Sequence, residues 1–211
     1  MARRKEQAAG AEVSVVPANE ASWEDLQTVL GERGDGHGCQ CQRYKMGNAH
    51  WSPEPPEVRE QALREETECG QPDAETTSGL VAYLEDEPVG WCNVEPRTAF
   101  PRLRTTRIPW PGREQDKDDP SVWAVTCFAV RPGYRRRGVT YALAAASVDF
   151  ARERGARALE GYPMVVQPGQ EITWGEMFVG KSSVFAAAGF REVSRPTKRR
   201  AVMRIDFEDV K

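Results

Sequence analysis

No run of apolar residues in this 211-residue chain approaches the roughly 18 needed to span a bilayer, so no membrane-spanning helix is expected. The opening residues Met1-Ala2-Arg3-Arg4-Lys5-Glu6-Gln7 have a basic flank but no apolar stretch behind it. Residues 1–11 therefore read as a disordered tail rather than a secretory signal, and a cytoplasmic location is expected. A large charge excess is also missing. The formal net charge of -3 argues against a general nucleic-acid binder and leaves room only for a local basic patch. The five cysteines are an odd number without an export signal, which fits reduced thiols. Histidine is scarce: His37 and His50 are the only two. With Cys39 and Cys41 they suggest zinc, but the Cys-x-Cys gap is tighter than usual and no second cysteine pair follows, so no metal is expected. Internal repeats and low-complexity tracts are lacking.

What is there suffices for a core: 39% of residues are hydrophobic, and 29% charged residues supply a very polar surface. A β-branched strand at residues 12–16 ends at Pro17. Ser22 can cap a helix over residues 23–30, with Glu24 and Asp25 in its first turn. Residues 31–38, rich in glycine and charge, read as a flexible loop. Ser52-Pro53-Glu54-Pro55-Pro56 sets up a helix over residues 57–67. Two strands, 79–84 and 89–94, flank a turn at 85–88. Residues 95–121 show little periodicity, and 110–120 have the composition of an exposed loop.

Then comes an apolar, β-prone run at 122–130, read as a central strand. Val139, Leu143, Ala146 and Phe150 recur at helical spacing over 138–154. A strand at 157–162, a short helix at 182–188 and strands at 190–193 and 201–207 complete the order. This predicts one α/β (α+β) domain over residues 12–211, a central mixed sheet flanked by helices. The helix over 138–154 must return the chain to a parallel neighbour.

Arg135-Arg136-Arg137-Gly138 stands between the central strand and that helix. Three arginines at a helix start are disfavoured by the helix dipole unless an anion is present. Free amides in the first turn, a glycine that allows close approach and nearby guanidinium groups would together cradle a phosphate. The alternative is a solvated basic turn.

The piece from Cys127 to Thr140 resembles the acyl-CoA motif of the GNAT acetyltransferase superfamily: Arg or Gln, two residues, Gly, one residue, then Gly or Ala. Arg135 and Gly138 fit, while Thr140 stands where Gly or Ala is usual. Phe185-Ala186-Ala187-Ala188-Gly189-Phe190 is similar to the aromatic-x-x-x-Gly-Phe ending of these domains. The chain also looks like one bacterial branch of the superfamily, through Gly38-Cys39-Gln40-Cys41, Val89-Gly90-Trp91-Cys92, Pro96-Arg97, Val125-Thr126-Cys127-Phe128 and Glu160-Gly161-Tyr162-Pro163. No substrate class follows from that likeness.

The resemblance implies acetyl-CoA as co-substrate, with its pyrophosphate on the amides of Arg136, Arg137, Gly138 and Val139, and with Arg135 and Thr140 beside them. It implies that Phe128, Ala129 and Val130 pair edge-on with pantetheine, and that the Val130 amide polarises the thioester carbonyl. The reaction implied is direct acetyl transfer to an amine, which must first lose a proton. The tyrosine that usually serves as acid falls on Phe185, and a glutamate base early in the central strand falls near Ala124. Glu160 and Tyr162 share a strand face, so Tyr162 is a candidate acid and Glu160 a candidate base, with a hydrogen-bonded structural pair as the alternative. Glu95 is a second candidate base. The segment around Cys39 and Cys41, with Tyr44, Trp51 and the 100–110 loop, is expected to shape an acceptor pocket. An open sheet edge would let two copies pair. The rival function is an acyl-CoA-binding sensor without chemistry. A third reading makes Arg135–137 and Lys198 to Arg200 nucleic-acid contacts, against which net charge argues.

Overall fold

Residues 12–47, 54–167 and 173–207 are described by the computed structural model of this protein. Strand β1 (Val13–Pro17) starts the described chain, and α1 (Trp23–Leu30) follows. The Ser22 hydroxyl accepts the Asp25 amide at 3.0 Å, a cap that contributes about 1 kcal/mol. The expected loop at 31–38 is corrected in part: Asp35–Cys39 forms a short helix, α2. Its glycines are there for packing as well as for turning. A Cβ on Gly36 would lie 2.4 Å from the Leu30 carbonyl oxygen, so only glycine lets α2 rest on the end of α1.

Helix α3 (Pro56–Thr67) starts with proline in its first turn. The hairpin of β2 (Leu80–Leu84) and β3 (Glu87–Pro96) precedes a long loop and then β4 (Val122–Val130). Helix α4 (Val139–Glu153) leads to β5 (Ala158–Gly161), followed by the short α5 (Trp174–Met177) and α6 (Ser182–Ala187). Strands β6 (Arg191–Thr197) and β7 (Arg200–Asp206) close the described chain.

The seven strands form one sheet in the order β1-β2-β3-β4-β5-β7-β6. Only β4 and β5 pair in parallel, and α4 is the crossover that such a pair requires. One face of the sheet is covered by α4 and α6. There Val139, Leu143, Val148 and Phe150 are buried against β2, β3 and β4, each contributing on the order of 1.5–3 kcal/mol. On the opposite face Leu26 of α1 and Leu63 of α3 cluster with Trp91 of β3, and Phe100, Leu103, Ala124, Tyr162 and Val202 form a separate cluster.

Two irregularities create the site. The β3–β4 register steps between the pairs Asn93–Cys127 and Val94–Val125, which leaves Thr126 as an extra residue on β4. The β4–β5 pairing ends at Val125–Gly161. Past that point the two parallel strands part, and the edge of β4 loses its neighbour.

Candidate active site

The turn between β4 and α4 leaves the start of the helix without a side-chain cap. Gly138 caps α4 at φ 84°, ψ -4°, a left-handed conformation that glycine adopts without cost. Arg136 is also left-handed, at φ 64°. No side chain caps α4, and among the described residues no acceptor engages the amides of residues 136–140. Arg136, Arg137 and Gly138 are exposed. Five free amides at a helix start form a concave donor array, and the surrounding guanidinium groups raise its preference for negative charge. Arg131 and Arg137 flank the Tyr134 ring at 5.0 and 5.4 Å, which keeps them beside the turn.

The open edge of β4 leads from this turn into the protein. The Arg131 amide bonds to the Val89 carbonyl, so Gly90 and Val130 are a pair that exchanges no hydrogen bonds. The Val130 amide therefore points to the edge that β5 has left. So does that of Phe128, which donates to the Phe178 carbonyl at 2.6 Å. Alternation turns Ala129 the other way, toward β3. Of the three residues expected along this edge, Phe128 and Val130 present backbone groups to it, and the Phe128 amide is already engaged.

Phe185 is fully buried behind this edge, with its ring 5.7 Å from Phe128 and 5.1 Å from Phe190, both edge-on. Nothing in that apolar trio can give up a proton.

Glu160 and Tyr162 lie on the opposite face. Glu160 is wholly buried, and three guanidinium groups surround it: Arg204 at 2.6 Å, Arg97 at 3.4 Å, and Arg113 in a short contact. Burial pushes its carboxyl up, but the Arg113 bond and charge, aided by Arg204 and Arg97, outweigh burial and hold it below the ordinary range. A carboxylate so held is a poor proton acceptor. Tyr162 donates its hydroxyl proton to Glu160 at 3.1 Å, and burial, reinforced by the Glu160 charge, raises its pKa well above the usual value. Arg97 and Arg113 come from the loop at 97–121, so this cluster ties that loop to β5. The loop is thus less open than its composition implies: Phe100 and Leu103 are buried, and the Trp110 indole donates to the Leu103 carbonyl.

Glu95 has a different setting. Lys45 bridges it to Glu66, at 2.5 Å from Glu95 and 2.7 Å from Glu66. Burial raises the Glu95 pKa, and the Lys45 charge and a Ser78 hydrogen bond offset only part of that rise. Two carboxylates share one ammonium, so the trio keeps a net negative charge and one carboxyl is poised to take a proton.

Tyr44 packs on the Phe100–Ala124 cluster, with its ring 6.3 Å from Phe178. It lines a groove beside the β4 edge, while Trp51 and His50 lie outside the described residues. Cys39 and Cys41 do not face that groove as reactive thiols. Burial and the Cys41 charge push the Cys39 thiol up to about 12, and Cys41 accepts the Trp91 indole proton at 3.1 Å. Among the described residues no group of three His, Cys, Asp or Glu is arranged to hold a metal.

Sequence reasoning missed Arg43, Lys45, Arg97, Arg113 and Arg204. Each acts on a partner far away along the chain, so no local spacing marks it. Arg97 falls in the Pro96-Arg97 segment and Arg43 in the segment that runs from Cys39 to Tyr44, but neither residue carries a role there on sequence grounds.

Comparison with known proteins agrees with this geometry. No curated protein matches the chain. Among solved structures, a GCN5-related N-acetyltransferase from Kribbella flavida is 18% identical, with 92% of this chain and 98% of that one covered at a TM-score of 0.50. A ribosomal-protein-alanine N-acetyltransferase from Brucella melitensis is 16% identical, with 92% and 99% covered at a TM-score of 0.50. The yncA protein of Salmonella typhimurium, solved with its cofactor acetyl-CoA, is 12% identical, with 93% and 95% covered at a TM-score of 0.51. These likenesses establish the fold, while residues 43–163 match the model of the Acetyltransferase (GNAT) family. With more than half its length matched, a parted β4–β5 pair and an uncapped amide-rich turn, this chain belongs to the GNAT family of N-acetyltransferases.

Proposed function

We propose that this protein transfers acetyl from acetyl-CoA to a primary amine by direct attack on the thioester. The observation that carries this is the continuous path from the free amides of residues 136–140 to the outward-facing Val130 amide. The pyrophosphate would lie on the turn and the pantetheine arm along the β4 edge, and the Val130 amide would hold the thioester oxygen as negative charge develops. A raised pKa and a place on β3 across from Ala124, next to where the β4–β5 pairing ends, make Glu95 the base for the incoming ammonium. The amine nitrogen then bonds to the acetyl carbon, the carbon–sulfur bond breaks, and the thiolate takes up a proton. Phe185 has no proton to supply. Tyr162 directs its own to Glu160, so water or the attacking nitrogen is the donor. Glu160 and Tyr162 serve to anchor the 97–121 loop.

The apolar surroundings of Phe185 favour one second reading, a domain that binds acyl-CoA without turnover. Both readings require cofactor binding. Calorimetry with acetyl-CoA and thiol release against a panel of amines separate them. Binding with acceptor-dependent release of free CoA supports the enzyme, and binding without release from any amine supports the sensor. No heat with acetyl-CoA overturns both.

A further inference from the structure

Beside the β4 edge lies a groove of about 270 Å³, lined by Arg43, Tyr44, Met164, Glu176, Phe178, Arg199 and Arg200. Its charges do not cancel. Glu176 pairs with Arg199 at 2.9 Å, which accounts for the one carboxylate. Among the described residues no carboxylate pairs with Arg43 or Arg200. The Arg43 guanidinium lies 5.3 Å from the centre of the Phe178 ring, within cation–π range. Arg200 gives one N–H to the Tyr162 carbonyl at 2.7 Å, while its buried Nε has no hydrogen-bond partner. Guanidinium groups that line a groove with no carboxylate of their own favour an oxyanion there.

The groove is joined to the reaction path through one residue. Phe178 supports Arg43 with its ring and bonds to the Phe128 amide with its carbonyl. An anion held here stands one side chain away from the edge that would carry the thioester.

We infer that the acceptor amine carries an oxyanion, a carboxylate or a phosphate, which Arg43 and Arg200 hold while the amine reaches the thioester. This rests on the acetyltransferase reading for the chemistry of the amine, though not for the preference for negative charge. Tyr44 and Met164 would supply an apolar wall for the carbon chain between the two ends.

Matched pairs of amines test it: free amino acids against their amides for a carboxylate, and phosphoethanolamine against ethanolamine for a phosphate. Each is titrated into the full chain by calorimetry, with and without CoA, and assayed for thiol release from acetyl-CoA. The anionic member of at least one pair should bind about tenfold or more tightly than its neutral mate, as expected for a charge-assisted pair. Which pair discriminates identifies the oxyanion. Arg43→Gln should remove most of that preference, and Arg200→Gln is the independent second variant. Equal binding of both members in both pairs, binding by no member, or a preference that survives both substitutions overturns the inference. Discrimination by the groove in a protein that gives no heat with acetyl-CoA would sink the transfer reaction and leave the oxyanion site standing.

Discussion

Glu95 stands directly across the β3–β4 pair from Ala124. Opposite residues of an antiparallel pair put their side chains on the same face, with Cβ atoms about 5 Å apart. A carboxylate on β3 can therefore reach the space that a carboxylate at position 124 of β4 would fill. Family likeness places a glutamate base near Ala124, and this chain has the carboxylate one strand over.

Replacing Glu95 by glutamine should lower kcat by about 10²- to 10⁴-fold, the range for removal of a general base. Acetyl-CoA affinity, measured by calorimetry, should stay as it was. A general base works deprotonated and the Glu95 pKa is raised, so if Glu95 is that base activity should climb with pH through a limb above the ordinary carboxylate range, and Glu95→Gln should abolish that limb. Lys45→Met removes the cation that lowers this pKa, so the limb should move to higher pH. An unchanged profile in both variants would rule Glu95 out.

The amide array at the start of α4 makes a prediction about binding alone. A Cβ at Gly138 meets no atom within 4 Å, so space is not the constraint there; the φ of 84° is. Gly138→Val must either hold the left-handed region at a cost of roughly 1–2 kcal/mol or leave it and distort the turn. Because the turn is exposed, the fold should survive while the amides lose their common aim. Acetyl-CoA affinity should fall at least tenfold with the far-ultraviolet circular dichroism unchanged. Full affinity in this variant would separate the turn from the cofactor.

Local pattern carried much of the fold. The apolar run at 122–130 coincides with β4, and the 3.6-residue spacing of Val139, Leu143 and Phe150 marks α4. The glycine turn ahead of α4 was legible because it is contiguous. The cluster around Glu160 was not: Arg97 lies 63 residues away and Arg113 lies 47 away. Ion pairs of that span leave no periodicity, so loop composition concealed a buried anchor. The α2 helix was hidden for another reason, since Gly36 and Gly38 look like turn signals until the contact of Gly36 with Leu30 is seen.

That anchor sets acid stability. The Glu160 carboxyl titrates below its unfolded value, so its contribution is fully present above the unfolded pKa and is lost as pH falls through the lower folded one. Glu160→Gln leaves the buried Arg97 and Arg113 guanidinium groups without their anion, and Arg204 with Asp206 alone. It should cost about 3–5 kcal/mol at neutral pH, measured by urea unfolding. The difference from the parent should shrink as the pH drops into the acid range. A loss that stays constant across that range would point to packing rather than charge.

The aromatic trio decides what Phe185 can be turned into. A Cβ built on Gly161 would lie 2.1 Å from Phe185 Cε1 and 2.5 Å from Cζ, so the far end of the ring presses on the β5 backbone. Restoring the hydroxyl with Phe185→Tyr would drive a polar atom into that contact, where the apolar rings of Phe128 and Phe190 offer it no partner. The variant should lose about 1–3 kcal/mol of stability from overpacking and an unsatisfied hydroxyl, read as a lower denaturant midpoint. It should gain no thiol-release activity. A rise in kcat would show that the hydroxyl reaches the sulfur after all and that the missing acid limits the parent enzyme.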